Sequence, residues 1–329
     1  MNPDAPPPLV IQTEDLDAGC AEWLGERAQL VVCPQDDPAF AGHLERAEGL
    51  VVRTYTRVDD ALLDAAPNLR VVGRAGVALE NVDVAACHRR GVRVVHTPNS
   101  NTRAVVEFFT AVLCDACRPR VFLDEPLEPA RWHEVRRELV ADRELGEMTL
   151  GLWGFGRIGS AVARVAAALD MTVVYHDLRD IPADRRHGAE PVSRDQLLQH
   201  ADVLSLHVDY RKSNENMLGT EALNRLKPDA LIINTSRGFV VDAGALASFL
   251  QTNPGARAMI DVHDPNEPIQ AGYPLLGLSN AHVTPHLASG TVRAKREMSW
   301  VVRDVWRVLR GEEPEFPPPD WLLADVGVA

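Results

Sequence analysis

The chain has 329 residues, 46% hydrophobic and 25% charged, with 34 Lys and Arg against 47 Asp and Glu and a formal net charge of −13. That length accommodates two domains with cores of their own, and that composition excludes a disordered chain. The acidic balance argues against a nucleic-acid partner, no apolar run approaches the roughly 18 residues of a membrane span, and MNPDAPPPLV lacks the features of a secretory signal, so a cytoplasmic protein is expected.

In chain order, Leu9–Gln12, Gln29–Cys33, Gly49–Val52, Arg70–Val72 and Val92–His96 are short β-branched runs that predict strands. Helices are predicted between them over Asp15–Arg27, Asp59–Ala65 and Val82–Arg90. A longer apolar-periodic stretch, Thr102–Arg118, predicts a connecting helix. It contains Cys114-Asp-Ala-Cys117, but the motif lies in a helical pattern and there is no second cysteine pair. Packed thiols are therefore the better reading, and no metal is expected. A second series of strands follows: Leu150–Trp153, Thr172–His176, Val203–His207, Ala230–Asn234, Ala256–Ile260 and Ala281–Thr284, again separated by helical patterns. A last helix, Ala294–Arg310, carries the apolar stripe Met298, Val301, Val305 and Val308 and needs a surface to cover; the first domain is the natural one. Proline-rich patches at Pro6–Pro8 and Pro317–Pro319 read as extended tails. The expected fold class is α/β with two doubly wound parallel-sheet domains. A Rossmann dinucleotide-binding domain over 103–284 is inserted in a flavodoxin-like substrate domain made of 1–102 plus 285–329.

The sharpest motif is Gly154-Phe-Gly156-Arg157-Ile158-Gly159, which follows a predicted strand and opens a predicted helix. Glycines there permit a tight turn, close approach of backbone to a pyrophosphate, and close packing of helix on strand. The helix N-terminus adds free N–H groups and a positive dipole end. Eighteen residues past Gly159, at the end of the next strand, Asp177 can accept both ribose hydroxyls of an adenosine and would repel a 2′-phosphate. This favours NAD; Arg157 and Arg179 keep NADP open as a second reading.

Three further strand ends carry chemistry. Arg237, in Asn234-Thr-Ser-Arg237-Gly238, has the planar fork that suits a carboxylate, although it could instead cap the following helix or pair with Asp242. Glu267 follows the strand ending at Ile260, and His286 lies in Thr284-Pro285-His286. Hydride transfer to a carbonyl leaves an alkoxide that needs a proton, which a histidine can donate near neutral pH, and a neighbouring carboxylate favours its charged form. His207 and His263 are also strand-end histidines, and each alone reads as a satisfied structural group.

Taken together, these motifs resemble the D-isomer-specific 2-hydroxyacid dehydrogenase family, from about Val51 to Arg310. The likeness is carried by Gly73-Arg-Ala-Gly-Val77, Asn99-Ser-Asn-Thr-Arg103 leading to Glu107, the glycine loop, Asn234-Thr-Ser-Arg-Gly238, Asp261-Val262 and Thr284-Pro-His286. The resemblance implies Arg237 as the group that binds the substrate carboxylate, His286 as acid/base and Glu267 as the residue that raises its pKa. It implies contacts of Asp261, Thr235, Ser236, His207 and Thr102 with NAD, and of the Gly76 and Val77 amides with the substrate carboxylate. It also implies a homodimer, to which an arm over 118–145 contributes. The sequence departs from the family's pattern at three places: Asp209 stands where His-Val-Pro is usual, Ala78 replaces a common glycine, and one extra residue separates Asp261 from Glu267. Asp264 is the fallback partner for His286.

Arg53 and Arg74 end first-domain strands and point to a substrate with a second anion, resembling phosphoglycerate dehydrogenases without a C-terminal regulatory domain. The alternative for the two arginines is pairing with surface acids such as Asp83. Glyoxylate or hydroxypyruvate reduction is the other enzymatic reading, and an NAD(H)-binding corepressor-like interaction module is the reading from another class.

Overall fold

Leu9–Gln12 (β1), Gln29–Val32 (β2), Gly49–Val52 (β3), Val71–Arg74 (β4) and Arg93–His96 (β5) pair in parallel, in the order β2-β1-β3-β4-β5. This is the flavodoxin-like order, with its reversal between β1 and β3. Both of those strands are buried along their whole length, and their runs are accordingly apolar rather than alternating. The computed structural model of the chain describes residues 6–265 and 267–322. The chain divides into two units, Met1–Asn101 with Gly290–Ala329, and Thr102–Ser289.

In the first unit the helices Ala18–Gly25, Asp60–Asp64 and Val84–Arg89 are shorter than their sequence patterns. Each begins at an aspartate whose carboxylate accepts a backbone N–H: Asp17 from Gly19, Asp59 from Leu62, Asp83 from Ala86. The expected single helix 294–310 is two segments, Val292–Ser299 and Val302–Leu309. At the break, Ser299 Oγ donates back to the Lys295 carbonyl (2.8 Å) and accepts the Asp17 N–H (2.9 Å), a pattern that bends helices. The second segment lies on β4 and β3, and its Val302, Val305, Val308 and Leu309 share one apolar cluster with Val10, Val51, Val71 and Val95. Gly73 permits this approach, since a Cβ there would stand 2.4 Å from Val305 Cγ2.

The second unit holds Thr149–Trp153 (β6), Thr172–His176 (β7), Glu190–Pro191 (β8), Val203–Leu206 (β9), Leu231–Asn234 (β10), Arg257–Ile260 (β11) and Ala281–Val283 (β12). All pair in parallel in the order β12-β11-β10-β9-β6-β7-β8. This is the Rossmann order extended by one strand, and it reverses between β6 and β9, where such sheets bind ligands. Helix Thr102–Cys117 packs on helix Arg157–Ala168, burying Phe109, Leu113 and Cys117. All five cysteines are free, and burial pushes the Cys117 thiol up. The second unit runs to Ser289, a few residues past the sequence-based boundary, so it contains His286 as well as Arg237 and Glu267. Among the described residues no helix is long and apolar enough to cross a membrane, and no cluster of three or more His, Cys, Asp or Glu side chains is arranged to hold a metal.

Candidate active site

The turn after β6 depends on two of its three glycines for steric reasons. Gly154 has φ +96°, and a Cβ on it would stand 2.4 Å from the His207 carbonyl oxygen; a Cβ on Gly159 would stand 2.3 Å from the Gly154 oxygen. These contacts press the turn against the end of β9. Gly156 differs: the nearest atom to a Cβ there is an Arg179 guanidinium nitrogen at 4.0 Å. The cradle that its missing side chain leaves open lies at the N-terminus of helix Arg157–Ala168, where backbone N–H groups and the helix dipole favour a phosphate. Ile158 packs on the core beneath, while partial burial, and then the nearby Arg179, lower the pKa of Arg157.

Asp177 stands beyond the end of β7. Its Oδ2 accepts the Phe155 N–H (2.7 Å), and its Oδ1 accepts the Arg179 N–H (2.9 Å). Partial burial works against its charge, but Arg179 and these amides outweigh it and hold the carboxyl below the usual range. His207 Nε2 is 2.9 Å from Ser205 Oγ, the ring meets Phe109 edge-on, and burial lowers its pKa to about 4, so it is neutral at physiological pH.

After β10 the buried Asn234 side chain organises the turn. Its Oδ1 accepts the Ser236 N–H (3.0 Å) and hydroxyl (2.8 Å), and its Nδ2 donates to the Arg237 carbonyl (2.9 Å). Gly238 then passes so close to the next strand end that a Cβ would stand 2.1 Å from the His263 carbonyl carbon. Arg237 is thereby set beside the loop after β11, with one guanidinium N–H donating to the Ser236 carbonyl (2.6 Å). Thr235 Oγ1 is buried without a hydrogen-bond partner among the described residues. An orphaned hydroxyl of this kind marks a place for a polar ligand group.

Asp261 is 1% exposed and braces the histidine loop. Its carboxylate accepts the Thr284 hydroxyl (2.5 Å) and the N–H groups of Leu287 (2.7 Å) and Ala288 (2.8 Å), while its carbonyl accepts the His286 N–H (2.9 Å). So held, His286 takes the left-handed conformation, φ +54°, which few non-glycine residues adopt without such support. His286 Nδ1 donates to Glu267 Oε2 at 2.7 Å, and Glu267 Oε1 accepts the His263 N–H at 2.9 Å. The Glu267 bond raises the His286 pKa; burial and the charge of Arg237 oppose it, the latter placing Arg237 within electrostatic reach of the imidazole. Glu267 is depressed in turn, its partial burial outweighed by His286 and the His263 amide. Glu267, not Asp264, is therefore the partner; Asp264 is raised, first by burial and then by Glu215. Asn266, the neighbouring position, lies outside the described residues.

Arg53, Arg74, Gly76 and Val77 sit at strand ends of the first unit. Arg74 folds over Gly76, whose Cβ would collide with the guanidinium, and the Gly76 N–H donates to the Arg74 carbonyl (2.8 Å). That amide must leave its turn before it can serve a ligand. His96 Nδ1 fixes the Val77 carbonyl at 2.8 Å. Arg53 donates to the Asp15 carbonyl (3.2 Å), whereas Asp83 uses its carboxylate as a helix cap. Glu14, not singled out by the sequence, accepts the N–H groups of Arg53, Thr54, Tyr55 and Thr56, and these amides hold it ionised against the opposing effect of burial.

A Rossmann sheet with an open glycine cradle, an acid at the second strand and a histidine–carboxylate pair beside an arginine defines a dinucleotide-dependent oxidoreductase. Residues 110–288 match the family described as D-isomer specific 2-hydroxyacid dehydrogenase, NAD binding domain. The chain is 33% identical over 276 residues to a glyoxylate reductase of Thermofilum pendens, covering 81% of this chain and 80% of that one. It is 36% identical over 309 residues to a D-3-phosphoglycerate dehydrogenase of Mycobacterium tuberculosis, covering 93% of this chain but 57% of the longer relative. The structure of Aquifex aeolicus D-lactate dehydrogenase complexed with NAD and lactic acid superposes with a TM-score of 0.78 at 26% identity, covering 92% of this chain and 96% of that one. The chain belongs to the D-isomer specific 2-hydroxyacid dehydrogenases. It is an NAD-dependent oxidoreductase, and the open cradle at Gly156 and the orphaned Thr235 hydroxyl fit that cofactor.

Proposed function

We propose that Arg237, Glu267 and His286 catalyse the interconversion of a D-2-hydroxy acid and its 2-keto acid, with 3-phosphoglycerate and phosphohydroxypyruvate as the substrate pair. The observation that carries the chemistry is the 2.7 Å contact of Glu267 with His286. NADH, when bound, supplies a hydride to the carbonyl carbon. Arg237 takes the substrate carboxylate and polarises the adjacent carbonyl. Because Glu267 engages Nδ1, it is Nε2 of His286 that gives its proton to the carbonyl oxygen, and takes one back in the oxidative direction. For the cofactor, Gly154, Gly156, Arg157, Ile158 and Gly159 would hold the pyrophosphate and Asp177 the adenosine ribose. Thr235, Ser236, Asp261, His207 and Thr102 are assigned to its remaining contacts.

A second anion on the substrate is supported by Arg53 and Arg74, two guanidinium groups at neighbouring strand ends. Gly76 and Val77 would receive the carboxylate. Glyoxylate or hydroxypyruvate is the second reading, supported by the 33% identity over 276 residues to the glyoxylate reductase. Loss of NADH absorbance with phosphohydroxypyruvate, hydroxypyruvate, glyoxylate, pyruvate and 2-oxoglutarate decides between them. A preference for the phosphorylated compound that disappears in Arg53→Ala supports phosphoglycerate; equal turnover of both hydroxypyruvates removes it.

We propose in addition a cytoplasmic homodimer. Helix Pro129–Glu138 buries none of its residues, and Phe122, Trp132 and Val140 on the same arm are exposed, as on a surface awaiting a second copy. Light scattering of the wild type and of Phe122→Glu tests this; a monomeric wild type excludes it.

A further inference from the structure

Asp177 has a competitor for its ribose within its own turn. Arg179 Nε donates to Oδ1 at 3.0 Å and Nη2 to Oδ2 at 3.2 Å, a two-point ion pair laid over a carboxylate that already accepts two backbone N–H groups. A carboxylate offers about four acceptor positions, and all four are then taken. The two amides belong to the turn and stay; the two guanidinium bonds are the ones a ribose diol must displace. The Asp177 side chain is 10% exposed and that of Arg179 64%, so the arginine can swing into solvent while the acid remains fixed. The guanidinium also touches the mouth of the glycine loop, with Nη2 3.4 Å from the Phe155 carbonyl and 4.0 Å from the position of a Gly156 Cβ. Arg157 lies near enough for the two positive charges to influence one another, and the negative charge of Asp209, itself paired with Arg211 at 2.9 Å, also acts on Arg179.

We propose that Arg179 sets the choice between the two nicotinamide dinucleotides: it competes with the ribose diol for Asp177 and turns to a 2′-phosphate when one is present, so that NADPH is accepted beside NADH. This rests on the reading that Asp177 holds the adenosine ribose. A guanidinium released from Asp177 by a plain ribose loses its ionic partner to solvent. One released by a 2′-phosphate gains a dianionic partner, with Arg157 as a second cation nearby. The carboxylate's repulsion of that phosphate is countered by the same arginines.

The test is titration of the enzyme with NADH and with NADPH, followed by nicotinamide fluorescence, for the wild type, Arg179→Ala and Asp177→Asn. Arg179→Ala is expected to tighten NADH by up to about fivefold, the scale of an exposed ion pair, and to weaken NADPH roughly tenfold, the scale of one charge-assisted hydrogen bond. Opposite directions in one variant are the signature, since general damage to the fold weakens both. Asp177→Asn is expected to weaken NADH and tighten NADPH. If Asp177→Asn shifts the ratio and Arg179→Ala does not, the ribose reading stands and the Arg179 proposal falls. If Asp177→Asn changes neither affinity, the ribose reading itself falls. Absence of NADPH binding to the wild type at about millimolar concentration, the upper end of ordinary cofactor affinities, also overturns the proposal.

Discussion

Glu267 faces two partners at once: Oε2 takes the Nδ1 proton of His286 at 2.7 Å, and Oε1 takes the main-chain N–H of His263 at 2.9 Å. The carboxylate is thus oriented by the strand end that precedes it, and the imidazole is held in its charged form beyond its usual range. With His286 as the proposed acid of keto-acid reduction, the rate is expected to be full where His286 is protonated and to fall as pH rises through its raised pKa. Glu267→Gln removes the charge, so the descending limb of kcat/KM against pH is expected to move to lower pH. An unmoved limb contradicts the pairing as the source of the shift.

Arg237 reaches its position through the Asn234 turn and the close passage of Gly238. Replacing it with alanine removes the proposed carboxylate ligand and carbonyl polariser, and kcat/KM is expected to fall by about 10²–10³-fold. NADH affinity, measured by fluorescence, is expected to stay close to that of the wild type. Undiminished turnover would take Arg237 out of the mechanism.

Asp261 accepts three donors from the loop that carries His286, at only 1% exposure. Asp261→Asn keeps the shape but replaces one acceptor oxygen with a donor, leaving at least one loop donor unsatisfied at a cost of about 2 kcal/mol. Thermal unfolding is expected roughly 4–8 °C lower, with a fall in kcat as His286 loses its support. An unchanged melting temperature would mean that the loop is held by other contacts.

Thr235 carries a buried hydroxyl with no partner among the described residues. Thr235→Val removes it while keeping the branched shape, so the ligand-free protein is expected to be as stable as the wild type or up to about 1 kcal/mol more so. NADH is expected to bind several-fold more weakly. Equal NADH affinity would show that the hydroxyl serves no cofactor atom.

The β-branched runs and the glycine loop were legible in the sequence because they answer to local rules, burial on both faces of a sheet and tight turns at a helix start. Helix lengths were less so: Asp17, Asp59 and Asp83 start their helices later than the apolar periodicity implies. The extra residue before Glu267 left two carboxylates as partners for His286, and only the distance to Oε2 separates them. Glu14 was out of reach altogether. It clamps amides 39 to 42 positions away because β1 and β3 lie side by side, a neighbourhood that exists only once the sheet has formed.

The valine face of Val302–Leu309 lies on β4, where Gly73 makes room for Val305. A nascent chain therefore holds the five strands of its first sheet for the whole time needed to make the intervening unit, Thr102–Ser289, before their cover is synthesised. At ribosomal speeds that interval is on the order of ten seconds or more. The inserted unit, which owes nothing of its sheet to the last helices, is free to fold first. Order of synthesis and order of completion are thus reversed in this chain: the half that begins it is finished last.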